Sequence, residues 1–119
     1  MKNLLHVDDD ASWRFNFEDL AGDLGLKLSQ FSTQDEALAA IREKKPDIVV
    51  TDLHIGEKDG DRLAGYKIAR VAQEAGVPYI TIASETETPS QEIKGVSIQG
   101  KREAMVWLKQ LVKGGPERE

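Results

Sequence analysis

The sequence predicts an α/β domain built on a doubly wound, five-stranded parallel sheet. Two observations carry this. Short apolar runs alternate with helical periodicities in the order β-α-β-α-β-α-β-(short)-β-α, and alternation at this spacing implies right-handed crossovers with helices on both faces. Within that order, Ile48-Val49-Val50-Thr51 is β-branched and almost continuously apolar, the pattern of a strand covered on both sides. A chain of 119 residues fits one domain and can bury a real core.

The elements follow in turn. Leu4-Leu5-His6-Val7 is a first strand ending at Asp8-Asp9-Asp10. Trp13, Phe17, Leu20, Ala21 and Leu24 share one helical face. Asp10 can cap that helix and Gly25 can stop it. Leu26 to Phe31 reads as the second strand. Thr33-Gln34-Asp35-Glu36 has the spacing of a capping box, and Ala37, Leu38 and Ile41 give the second helix its apolar face. Pro46 breaks the chain before the third strand, which ends at Asp52, and a polar loop from His54 to Gly60 follows. Ala64, Ile68, Val71, Ala72 and Ala75 mark a third helix, stopped by Gly76 and Pro78. Tyr79 to Ala83 is the fourth strand and Val96-Ser97-Ile98 a weak fifth. Ala104, Leu108, Leu111 and Val112 mark the last helix, and residues 114–119 read as a flexible tail or linker stub.

Composition removes several classes of function. Sixteen Lys and Arg against 21 Asp and Glu give a formal charge of −5, which argues against a nucleic-acid surface, since phosphate binding needs clustered cations. No cysteine is present, so thiol chemistry, disulfides and zinc-thiolate sites are excluded. No apolar run approaches the ~20 residues of a membrane span and no secretory core follows Met1. A cytoplasmic domain with no membrane contact is expected.

In a doubly wound sheet, ligands bind beyond the carboxyl ends of the strands, where strand order reverses. With the order 2-1-3-4-5, the first and third strands are neighbours. Asp8 and Asp9 at the end of one then converge with Asp52 at the end of the other. Two unit charges ~4 Å apart repel by about 4 kcal/mol at an effective dielectric of 20, so the cluster needs a cation or a proton. Oxygen ligands with no cysteine or matching histidine favour Mg2+.

Leu4-Leu5-His6-Val7-Asp8-Asp9-Asp10, with Val49-Val50-Thr51-Asp52-Leu53 and Asp59-Gly60 beyond, resembles the receiver domain of two-component response regulators. The resemblance covers residues 2–113, and the length is that of a single-domain, chemotaxis-type regulator with a flavodoxin-like sheet. It implies a receiver over residues 1–113. Asp52 would take a phosphoryl group from a sensor histidine kinase or phosphotransfer protein. Asp9 and Asp52 would ligate Mg2+, Asp8 would act largely through water, and the backbone carbonyl of His54 would be the remaining protein ligand. The output would be protein–protein contact with a downstream target by a monomer or weak dimer. The domain would not be an enzyme beyond self-phosphorylation and slow autodephosphorylation.

The family also places a hydroxyl at the end of the fourth strand and a lysine at the end of the fifth. Counting from Pro78, the hydroxyl position falls on Ala83, with Ser84 next. Ser84 is the expected residue if the strand shifts by one, because Thr81 lies ~6.6 Å too deep. Lys101 is the expected lysine and Lys94 a poor second. No proline follows Lys101 and no aromatic precedes it on the strand. Only Glu85 to Lys94 separates the fourth strand from Gly95, so a shortened fourth helix is expected there. Gly65-Tyr66-Lys67-Ile68-Ala69-Arg70 resembles the family's third-helix start as well as Gly60 does, which would enlarge the loop after Asp52.

Two alternatives stand beside this reading. One is a pseudo-receiver, a binding module that keeps the fold without phosphorylation, motivated by the displaced Ser84 and Lys101. The other is a haloacid-dehalogenase-like phosphohydrolase with Asp8 as nucleophile and Asp10 as acid, although the chain leaves no room for a cap and Asp52 would go unexplained. Of the remaining residues, His6 reads as a hydrogen-bonded strand histidine and the His54 side chain as a solvated loop residue. Trp13 reads as core or rim, Phe15 as exposed, and Trp107 as half-buried edge packing.

Overall fold

A computed structural model describes residues 2–55, 64–84 and 93–113. The elements run β1 (Asn3–Val7), α1 (Ala11–Leu24), β2 (Lys27–Phe31), α2 (Gln34–Lys44), β3 (Ile48–Asp52), α3 (Ala64–Glu74), β4 (Tyr79–Ala83), β5 (Ser97–Gln99) and α4 (Lys101–Lys113). The five strands form one parallel sheet in the order β2-β1-β3-β4-β5. The short helix expected between the fourth and fifth strands, and the tail, fall on residues outside the described ones.

Local chemistry sets the boundaries. Asp10 caps α1, its Oδ1 accepting from the Ser12 N–H at 2.8 Å. Gly25 closes the helix at φ 71°, a left-handed conformation in which glycine carries no steric penalty. Thr33 caps α2 and pairs with Glu36 at the spacing of a capping box. The Thr33 hydroxyl accepts from the Glu36 N–H at 3.4 Å and donates to Glu36 Oε1 at 3.0 Å.

Strand alternation sorts the core into two layers. Leu5, Val7, Val49, Ile80 and Ile82 face α2 and α3. Leu4, Ile48, Val50 and Ala83 face α1 and α4, meeting Phe17, Leu20, Ala104 and Leu108. β3 is buried along its whole length, as its sequence required of a strand covered on both faces. β5 differs slightly from expectation, running Ser97–Gln99. The Val96 N–H turns back to the Ile93 carbonyl at 3.0 Å and so belongs to the preceding turn.

Candidate functional site

β1 and β3 pair in register from Leu4–Ile48 to Val7–Thr51, so the two chains leave the sheet side by side. That register brings the carboxylates together: ligand atoms of Asp8, Asp9 and Asp52 all lie within 4.8 Å of one another. Asp8 is buried, and its Oδ1 accepts from the Asp10 N–H at 2.9 Å. Its backbone carbonyl accepts from the Arg14 guanidinium at 2.8 Å, which ties α1 to the turn after β1. Asp52 is buried too, with Oδ1 accepting from the Leu53 N–H at 2.7 Å.

Lys101 enters this cluster from the far end of the chain. Its ammonium stands 2.9 Å from Asp8 Oδ2 and 3.4 Å from Asp52 Oδ2, with 5% of the residue exposed. Expected at the end of the fifth strand, it is instead the first residue of α4, since β5 stops at Gln99. The four-carbon stem spans the difference. Lys94, the other lysine considered, precedes β5 and therefore lies toward the amino-terminal ends of the strands, away from the carboxylates.

The protonation equilibria carry the imprint of this crowding. Burial pushes the Asp52 carboxyl up to about 6, and the nearby Asp8 charge adds to it, against the pull of Lys101 and the Leu53 N–H. Burial works against the charge on Lys101, but the hydrogen bond to Asp8 and the two carboxylate charges outweigh it and raise its pKa. The donor set fits a small hard cation: oxygen ligands only, with a repulsion that a cation would relieve.

On the β4 side the residue in register with Asp52 is Ala83, whose methyl is buried. Ser84 follows the strand, half-buried, with its N–H donating to the Gln99 carbonyl at 2.9 Å. Thr81, deeper in β4, is engaged with β5. It donates to the Ser97 carbonyl at 3.0 Å and accepts from Ser97 Oγ at 2.8 Å and Gln99 Nε2 at 2.9 Å. His54 is half-buried just past Asp52.

Three contributors were not read from the sequence. Arg14 secures the Asp8 turn from within α1. Trp13 places its ring 5.4 Å from the Lys101 ammonium. Gly65 approaches the acceptor strand so closely that a Cβ would sit 2.5 Å from the Asp52 carbonyl oxygen and 2.7 Å from Leu53 Cα, while its N–H donates to the Leu53 carbonyl at 3.0 Å. The similarity of the Gly65 segment to a helix start was the available signal for the last. The other two contacts have no local signature.

The family model of the response regulator receiver domain matches residues 4–100. The chain belongs to that family. Among curated relatives, this receiver domain is 30% identical over 88 residues to the DNA-binding response regulator MtrA of Mycolicibacterium paratuberculosis, covering 73% of this chain and 37% of that protein. It is 37% identical over 54 residues to the DNA-binding transcriptional regulator NtrC of Salmonella typhimurium, covering 45% of this chain and 12% of that one. The chain thus spans well under half the length of these relatives.

Solved structures agree on the fold. A response regulator receiver protein from Sinorhizobium medicae superposes with a TM-score of 0.78 at 24% identity, covering 95% of this chain and 92% of that one. The receiver domain of the sensor histidine kinase PA1611 from Pseudomonas aeruginosa superposes with a TM-score of 0.64 at 20% identity, covering 93% and 97%, and holds a magnesium ion in its active-site cleft. The matching family is a receiver domain, not an enzyme family. No helix among the described residues is long and apolar enough to cross a membrane.

Proposed function

We propose that this receiver domain accepts a phosphoryl group on Asp52 from a phosphohistidine of a sensor kinase or phosphotransfer protein. It then signals by protein–protein contact with a downstream target, as a cytoplasmic monomer or weak dimer that touches neither nucleic acid nor membrane. The observation that carries this is the meeting of Asp8, Asp9 and Asp52 in one cluster with Lys101 paired to two of them.

A carboxylate oxygen of Asp52 attacks phosphorus, the phosphorus–nitrogen bond of the donor breaks, and the imidazole leaves with its electron pair. Asp52 is ionised for this at neutral pH, since its carboxyl titrates near 6. Asp9 and Asp52, with the His54 carbonyl, would hold Mg2+ directly, and Asp8 largely through water. When bound, Mg2+ offsets charge on the acceptor and the transferring group. Lys101 supplies a second positive charge to the product, an acyl phosphate carrying about −1.5 to −2 where the carboxylate carried −1. Ser84 is the hydroxyl proposed for a phosphoryl oxygen.

Incubation with Mg2+ and a small phosphodonor, followed by intact mass, tests this. One base-labile phosphoryl adduct should form and be absent in Asp52→Asn. No adduct on the wild type would favour the pseudo-receiver, the second reading, which the methyl of Ala83 beside Asp52 supports. The phosphohydrolase reading has no such support, since the family that matches is the response regulator receiver domain.

A further inference from the structure

The Lys101 ammonium is held in an unusual way. It hangs from the first residue of a helix, the end where the backbone dipole disfavours a cation. Gly100, the residue before α4, offers no side chain there. Two of its partners are carboxylates, Asp8 and Asp52. The Trp13 ring, 5.4 Å away, is within the range at which an aromatic face attracts an ammonium.

Trp13 is itself held in place. It lies in the first turn of α1, just beyond the Asp10 cap and beside Arg14, which grips the Asp8 carbonyl. Its ring stands 6.4 Å from Phe17, which in turn lies 4.2 Å from the buried His6 ring. The turn that sets the carboxylates therefore also sets the aromatic face.

We propose that Trp13 is a positioning residue for Lys101: its indole face holds the ammonium over Asp8 and Asp52 and sets how firmly the lysine is clamped. This deepens the phosphoacceptor reading, on which its consequence for phosphoryl transfer rests, but the clamp exists without a phosphoryl group. It links the amino-terminal turns of α1 and α4 directly, so a Lys101 that moved toward a phosphoryl oxygen would work against Trp13.

The experiment uses the metal-free full chain and nitrogen-15 NMR of the lysine ammonium groups. In Trp13→Leu, exchange of the Lys101 ammonium hydrogens should quicken about fivefold, and the ring-current shift of its ε-methylene should vanish. Trp13→Phe, which keeps an aromatic face, should recover a clear part of the protection, while backbone amide exchange along α1 and α4 stays as in the wild type. Were Trp13→Leu not to fold, Trp13→Phe decides alone, with an expected acceleration of about twofold. Unchanged Lys101 exchange in the folded variants would overturn the proposal, as would a Phe variant no better protected than Leu. Because nothing is phosphorylated, this result is independent of whether an adduct forms at Asp52.

Discussion

Replacing Asp52 with asparagine should stabilise the metal-free domain, and by an amount that depends on pH. The Asp52 carboxyl is raised from the ordinary 3.8 to about 6, first by burial and then by the Asp8 charge. A raised acid pKa means the fold prefers the protonated form. The stabilisation this brings is complete below pH 3.8 and is lost as pH rises through 6. At ~1.4 kcal/mol per pH unit, the loss reaches at most about 3 kcal/mol. Asparagine has the shape of the protonated acid and never ionises. The stability of the variant minus that of the wild type should therefore climb by about 1–3 kcal/mol between pH 4 and pH 7.5, then level off. Urea unfolding at several pH values, without divalent cations, measures it. The difference must be taken against wild type because His6 has the opposite slope. Burial, with the charges of Lys101 and Arg14, drives His6 down to about 3, so its contribution is lost as pH falls. Adding Mg2+ should stabilise the wild type and leave Asp52→Asn almost unmoved. Parallel pH curves for the two proteins would refute the account of crowded charge at residue 52.

Three further outcomes are expected. His6→Asn removes a group whose stabilisation is present above pH 6.5 and lost toward pH 3, so stability between pH 7 and pH 4 should fall less steeply than in the wild type, by up to about 3 kcal/mol, as read by urea unfolding. Gly65→Ala drives a methyl into the Asp52 and Leu53 backbone and should cost about 1–3 kcal/mol, seen as a lowered melting temperature, and should also slow any phosphoryl acceptance. Ala83→Thr puts a hydroxyl in register with Asp52 and should speed adduct formation by about tenfold or more, the worth of one hydrogen bond to a charged group, measured by intact mass over time.

The fold was legible because its signals are local. Asp10 and Gly25 mark the ends of α1, and the unbroken apolar run of β3 announces a central strand. The strand order then brought Asp8, Asp9 and Asp52 into view, since acids at the ends of neighbouring strands must meet. Legibility failed where the signal is carried by one residue acting over distance. The apolar stripe of α4 begins at Ala104, so the charged first turn looked like loop and Lys101 looked like a strand end. Gly60, outside the described residues, and Gly65 were equivalent as sequence, and the approach of Gly65 to the Asp52 carbonyl is a fact of the fold that no local pattern announces. The aromatic over Lys101 comes from a helix at the other end of the chain, where its spacing reports only burial.

These features bear on how the domain would respond to phosphorylation. In the sheet's fourth and fifth strands, Thr81, Ser97 and Gln99 are bonded to one another, and the residue in register with the acceptor is Ala83, which has no hydroxyl. A hydrogen-bonded set of this kind has its donors already committed, so it has little to offer an incoming phosphoryl group. Lys101 differs. It touches both carboxylates, starts a helix and rests on an aromatic. Any charge added at Asp52 changes the balance on that one ammonium first. The first turn of α4, and α1 beside it, are then where a change in the acceptor would be felt soonest.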